Sequence, residues 1–307
     1  MSSTKPYVDP KNDFAFKKIF GSEEHKNITI SFINSLLELT GNKQITEIQF
    51  LNTEQAPLIM QEKKENFLDI LCTDQNKSQY IVEMQVEPVK AFINRMVYYG
   101  SKTYAIQLGT SAPYDKLMPV IVIAIINYAL LPEEEGYKSI HKITSVKTNR
   151  SYFDQLTFVL AELKKFNKKQ EELLTTEDKW LYFIKEISNQ ESLPKSFDNK
   201  EFKEACFAAE LLKWSEPEVA AYHKANIRAT DLKGAIELAK EAGIALGKEE
   251  GIALGEKIGE ERGKEAGMHE KALEVARQLL ADDMSPEKVA RITQLTVEEI
   301  QKLNKKL

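Results

Sequence analysis

The stretch FLDILCTDQNKSQYIVEMQVEP, residues 67–88, decides how this chain is read. Residues 67–73 and 80–86 are rich in Phe, Ile, Val and Tyr, and a polar run around Asn76 separates them, so the stretch reads as strand, turn, strand. An antiparallel hairpin centred on Asn76 pairs residues equally distant from it, which sets Asp69 opposite Glu83. Opposed residues have Cβ atoms ~4.5–5.5 Å apart, and like charges there repel. Two ionised carboxylates so placed need a proton or a cation between them. Alternation puts Asp69, Glu83 and Gln85 on one face with Phe67, Leu71 and Ile81. Val82, Met84 and Val86 take the reverse face, which is expected to pack into the core. Two acids and a Glu-x-Gln step are by themselves a weak motif that an ordinary exposed sheet face also carries.

Outward from the hairpin, helix and strand signals alternate. Asp13–Phe20 and Ile28–Leu39 have apolar residues at helical spacing, with Gly41 as a stop for the second. Ile45–Leu51 reads as a strand, Ala91–Leu108 as a helix closed by Gly109, and Pro119–Ile126 as a buried strand. This order indicates an α/β or α+β sheet with flanking helices over residues 1–170. The helix after the hairpin spaces Arg95, Tyr99 and Lys102 on one side. That stripe reads either as a solvated helix face or as a cationic wall for a phosphate backbone.

Residues 171–234 read as an all-helical extension, with Trp180, Ile184 and Ile187 on one face. Residues 235–270 form a repeat in which glycine stands at 243, 247, 251, 255, 259, 263 and 267. Each glycine inside a helix costs about 0.8–1 kcal/mol against alanine, so this segment is a linker, or a helix that packs closely on another copy. The final segment, 271–307, reads as a helix-turn-helix, with Ser285-Pro286 opening one helix and Thr296-x-x-Glu299 spaced as a capping box. Glu298 and Glu299 would face phosphates if the second helix bound DNA, which favours a protein contact there.

Composition narrows the options. Hydrophobic residues make up 42% of the 307 and charged residues 29%, a globular composition with no apolar run long enough to span a bilayer. Cys72 and Cys206 cannot make a disulfide framework, which suggests the cytoplasm. The four histidines share no ligand spacing, so a metal would be held by carboxylates. The net charge of −5 gives no global case for nucleic acid, although residues 140–170 carry seven Lys/Arg against two acids. A solvated face is the simpler reading of that patch.

Together with DFAFKKIFG at 13–21, FLDIL at 67–71 and IVEMQ at 81–85, the segment RMVYYGSKTYAIQLG at 95–109 resembles the PD-(D/E)XK nuclease superfamily. So do YDKLMPVIVI at 114–123, LAELKKF at 160–166 and the glycine-every-four tail. More narrowly, the chain is similar to the recombination-promoting nuclease (Rpn) and transposase family within it. The resemblance implies a mixed sheet flanked by helices, then an all-helical C-terminal part, and a metal-dependent DNA endonuclease. It implies that Asp69, Glu83 and the Met84 backbone carbonyl hold Mg²⁺ or Mn²⁺, with Asp13 as an extra acid or merely a helix N-cap. Gln85 stands where the superfamily has lysine and would orient water without supplying charge. Lys102 or Arg95 is the candidate for that charge, and Arg95, Tyr99 and Lys102 for DNA contact. The competing class is a non-catalytic module that keeps the fold and assembles as a homo-oligomer through its tail.

Overall fold

A computed structural model describes residues 5–55, 66–108, 113–133 and 136–304. In chain order the first elements are α1 (Asp13–Phe20), α2 (Lys26–Leu36), β1 (Ile48–Phe50), β2 (Glu54–Gln55) and β3 (Asn66–Phe67). The hairpin β4 (Ile70–Asp74) and β5 (Gln79–Gln85) follows, then α3 (Phe92–Ala105) and β6 (Val120–Ile126). Next come β7 (Lys138–Thr144), β8 (Ser151–Glu162), α4 (Thr176–Glu186) and α5 (Lys200–Ala209). A long helix α6 (Glu216–Ala281) precedes α7 (Pro286–Thr293) and α8 (Val297–Asn304).

Six strands form one mixed sheet in the order β1-β4-β5-β6-β8-β7, and β2 pairs with β3 separately. The β4–β5 register pairs Ile70 with Val82 and Cys72 with Tyr80, the hairpin centred on Asn76. Asp74 closes its turn: one carboxylate oxygen accepts the Asn76 and Ser78 N–H groups, the other the Tyr80 hydroxyl. Lys77 takes the left-handed position there, φ 68°. From β5 the chain crosses through α3 to β6, which runs parallel to β5, and β8 runs parallel to β6.

Both sheet faces are covered. Ile70, Cys72, Tyr80, Val82, Ile123 and Val159 pack under α1, α2, α4 and α5, where Trp180 stacks on Phe202 at 4.1 Å. The opposite face, which carries Glu83 and Gln85, is packed by Phe92, Met96 and Tyr99 of α3 over Leu71, Ile81, Val122 and Leu160. The acids' face is therefore a second core layer in its own right. Gly100 permits this: a Cβ there would meet Val122 Cγ2 at 3.1 Å and Phe158 at 3.3 Å.

Several local expectations shift. Helix α2 ends at Leu36, and Glu38, φ 54°, takes the left-handed residue after it, with Leu39 N–H bonded to Asn34 O; Gly41 plays no part in that stop. Asn12, not Asp13, caps α1 through the Phe14 and Ala15 N–H groups. Gly109 lies outside the described residues. Strands β7 and β8 were not expected, because residues 140–155 are exposed on both faces and lack apolar alternation. Helices α4 and α5 share the core of α1 and α2, so the first compact unit is Met1–Asp231 and no boundary falls at 170.

The second compact unit is Leu232–Leu307. Its core joins Ala276 and Leu280 of α6 to Val289 and Ala290 of α7 and to Leu295 and Ile300. Thr296 and Glu299 form the expected box: the Thr296 N–H donates to Glu299 Oε2 at 2.9 Å, and the Glu299 N–H to Thr296 Oγ1 at 3.3 Å. The glycine repeat is helical throughout, within α6, and a Cβ at any of its seven glycines would meet nothing within 4 Å. Among the described residues no helix is long and apolar enough to cross a membrane.

The turn makes a direct prediction. Asp74→Ala removes three hydrogen bonds from a buried side chain and should cost about 2–3 kcal/mol in urea unfolding. A midpoint unchanged from the native chain would show that the turn does not depend on this carboxylate.

Candidate metal centre

The site forms where the β4–β5 ladder stops. Ile70–Val82 is its last pair. Residues 66–67 belong to the other sheet, and the Leu68 N–H donates to Thr53 O, so the chain changes sheets at Asp69. This leaves the backbone edge of β5 at Met84 without a strand. Asp69 fills the gap: its Oδ2 accepts the Met84 N–H at 2.9 Å. In return, Glu83 Oε1 accepts the Asp69 N–H at 3.2 Å. A strand residue directs its N–H and C=O to the same side, so the Met84 carbonyl also faces the Asp69 edge. Asp69 and Glu83 thus lie side by side at the end of the hairpin, each carboxylate bonded to a backbone N–H of the other's segment.

Both acids are sheltered; Glu83 is 6% exposed. Burial, and then the neighbouring Asp69 charge, push the Glu83 carboxyl up to about 8. Burial also raises Asp69, while Lys17 and the Met84 N–H pull it back. Lys17, on α1, went unnoticed in the sequence. Its ammonium lies 3.1 Å from Asp69 Oδ1 and 2.9 Å from Asp13 Oδ1. Burial works against that ammonium, but Asp69 and Asp13 outweigh it and hold its pKa above the ordinary lysine value. Asp13 itself is largely exposed; it pairs with Lys17, and its charge adds to the rise of the Asp69 carboxyl.

Gln85 Oε1 accepts from Arg95 Nη2, and its Nε2 donates to the Glu87 carbonyl at 2.8 Å. The amide therefore holds Arg95 in place, with one N–H and one lone pair left over. The guanidinium stacks over Phe92 at 5.1 Å and Tyr99 at 5.9 Å. Arg95 Nε is buried with no hydrogen-bond partner among the described residues. Tyr99 is buried, and burial followed by the Glu83 charge raises its hydroxyl.

Lys102 departs from expectation. It is 1% exposed, its ammonium lies over the Tyr98 ring at 5.7 Å, and it stands two helical turns, about 10 Å, beyond Arg95. The stripe Arg95–Tyr99–Lys102 faces inward, so the cationic wall on the surface does not form, and Lys102 is not presented to a phosphate backbone.

The donor set suits a hard divalent ion. Among the described residues no three His, Cys, Asp or Glu side chains gather into a metal cage. Mg²⁺ does not ask for one, since one or two carboxylates, a carbonyl and waters or substrate phosphates suffice. Asp69, Glu83 and the Met84 carbonyl match that requirement.

A mixed sheet with flanking helices, and two acids on the hairpin where a strand edge opens, define a protein of PD-(D/E)XK nuclease architecture. The family model for PD-(D/E)XK nuclease family transposases matches residues 10–239, and the chain belongs to that family. Residues 269–305 match the C-terminal helix-turn-helix domain of the Rpn/YhgA-like nuclease family. No match was found among curated proteins or among solved structures.

The raised Glu83 pKa has a thermodynamic consequence. Between the ordinary carboxylate value near 4.5 and about 8, the folded chain holds a proton that the unfolded chain has released. Stability should then fall as pH rises through that window. With EDTA present, the melting temperature should drop from pH 5.5 to pH 8, and Glu83→Gln should flatten the drop. Equal slopes in the two proteins would show that Glu83 ionises normally.

Proposed function

We propose that the chain is a metal-dependent DNA endonuclease that hydrolyses phosphodiester bonds, working in recombination or mobile-element transfer in the cytoplasm. The observation that carries this reading is the meeting of the Asp69 and Glu83 carboxylates on the open edge of β5, each bonded to the other strand's backbone. Asp69, Glu83 and the Met84 carbonyl would hold Mg²⁺ or Mn²⁺. When bound, such an ion lowers the pKa of water and offsets charge on the phosphate.

The chain's own groups supply the rest. Lys17 is the cation at Asp69 and takes the place that Gln85 cannot fill. Asp13 keeps its ammonium at the centre. Arg95, fixed by Gln85 and two rings, supplies a positive charge beside Glu83. Tyr99 flanks it. The family's helix-turn-helix match supports DNA as the partner.

The second reading is a non-catalytic assembly module. It is favoured by the neutral Gln85, by Lys17 resting on Asp69, and by exposed Ile244, Leu246, Ile252 and Leu254 along the glycine-rich helix, which a second copy would cover.

Supercoiled plasmid with Mg²⁺ or with EDTA separates the two. The native chain should cut only with the ion, and Asp69→Ala or Glu83→Ala should slow cutting roughly a hundredfold or more. An intact plasmid under every condition leaves the assembly reading. Lys17→Met should slow cleavage while calorimetric Mn²⁺ affinity holds or rises. Gln85→Lys sets an ammonium against Arg95, so it should lower the melting temperature and bring no gain in rate; a faster Gln85→Lys enzyme would show that the native centre lacks charge.

A further inference from the structure

The basic patch of residues 140–170 separates into two parts in the fold. Lys165 and Lys168 lie 2.6 Å from Glu162 and Asp178 and are committed to them. Lys142, Lys147 and Arg150 instead sit on the β7–β8 ribbon, where all residues from 140 to 155 but Ser145 are exposed. The ribbon continues past the body of the sheet, and among the described residues nothing buries either side of it. Its turn is ordered: the Ser145 N–H donates to Arg150 O at 2.8 Å, and Asn149, φ 53°, takes the left-handed position. Register breaks at Lys142/Ile143 and Ile143/Thr144 mark a bulge, which increases twist and re-aims the tip.

At the tip Val146, Tyr152 and Phe153 are 97%, 66% and 56% exposed. Among the described residues Lys147 and Arg150 have no acidic partner, and Asp154 accepts from the Ser151 hydroxyl at 3.4 Å and lies 3.9 Å from Lys142. A chain of net charge −5 here projects a ribbon with three cations, one acid and two bare aromatic rings. A two-stranded ribbon fits the DNA major groove, which is about 12 Å wide.

We infer that the β7–β8 ribbon is a duplex-DNA-binding arm, with Lys147 and Arg150 on phosphates and Tyr152 and Phe153 against sugar or base edges. The inference rests on the proposed action on DNA and adds the surface that holds the duplex. The topology sets the spacing. Glu83 is level with Ala124 and Leu160 across the parallel strands, and the ribbon begins at Ser151, nine residues back along β8. Four of those residues are taken up by the register breaks, because Leu160 pairs with Ser139 and Ser151 with Thr144, five residues apart on β7, so the ladder covers about 17 Å, or about five base pairs of duplex. The arm therefore grips DNA about half a helical turn from the carboxylates.

The test is fluorescence anisotropy of the full-length chain with a labelled 30-base-pair duplex in EDTA, over a salt series, beside the plasmid assay. Lys147→Ala/Arg150→Ala should weaken binding roughly tenfold and reduce the salt slope by about two, one for each lost phosphate contact. Tyr152→Ala/Phe153→Ala changes no charge and should weaken binding severalfold with the slope unchanged. Lys248→Ala/Lys257→Ala, on α6, should change neither. Native affinity and slope in both ribbon variants would overturn the arm, as would no DNA binding by the native chain or an equal loss in the α6 variant. A shift in oligomeric state by light scattering with DNA affinity intact would also overturn it and make the ribbon a contact between copies. If the native chain binds DNA through the ribbon yet leaves plasmid uncut, the arm stands and the nuclease reading falls.

Discussion

The first unit is organised around one interrupted strand ladder. A continuous hairpin would have paired Met84 with residue 68 and left Asp69 and Glu83 as a repulsive cross-strand pair. Two unit charges about 5 Å apart repel by about 3 kcal/mol at an effective dielectric near 20. The change of sheet at Asp69 turns that liability into a binding edge, because each carboxylate now satisfies a backbone donor that the missing ladder would have left bare. The remaining repulsion is offset by the Glu83 proton and by Lys17. A divalent cation could offset it too, so metal binding and the protonation of this pair are linked.

The identity of residue 85 follows from its neighbours. Arg95 is always charged, and its rigid guanidinium needs an acceptor it can reach edge-on. Gln85 gives it an amide oxygen and ties the other end to Glu87. A lysine at 85 would offer no acceptor and would add a second positive charge beside the first. The position of Arg95 depends in turn on packing: Gly100 lets α3 lie close to β6 and β8, which puts Phe92 and Tyr99 on either side of the guanidinium. The electrostatics of the centre are thus set by a core contact on the same helix.

The hairpin was legible because its signals are local. Strand alternation and the Asp74 turn fix the register within twenty residues, and the two acids follow from it. Lys17 was not legible: four residues after Asp13, it reads as an ordinary helix-surface pair, and only the tertiary fold brings that side of α1 to Asp69. The Arg95–Tyr99–Lys102 stripe was legible as a stripe but not in its direction. A lysine stem is apolar enough to be buried, and three polar-tipped residues at helical spacing suit either face. Texture misled at residue 170, because the change to all-helical sequence marks a new layer on the same core: Trp180 and Phe202 pack beside Phe20 and Phe32. The β7–β8 ribbon has no buried face along its outer half and so no periodicity to read.

Charge and topology together constrain how such a chain could approach DNA. The surface is acidic in sum, so nonspecific attraction is weak and contact must be concentrated at a few cationic points. In the first unit the cations nearest the sheet are mostly consumed: Lys138 by Glu38 and Glu177, Lys165 by Glu162, Lys168 by Asp178. Among the described residues Lys147 and Arg150, before the start of β8, have no acidic partner, and Arg95 is held by Gln85 beside the C-terminal end of β5. A duplex held at Lys147 and Arg150 and reaching the carboxylates would lie along the strand direction, over the distance that the bulged β7–β8 ladder spans.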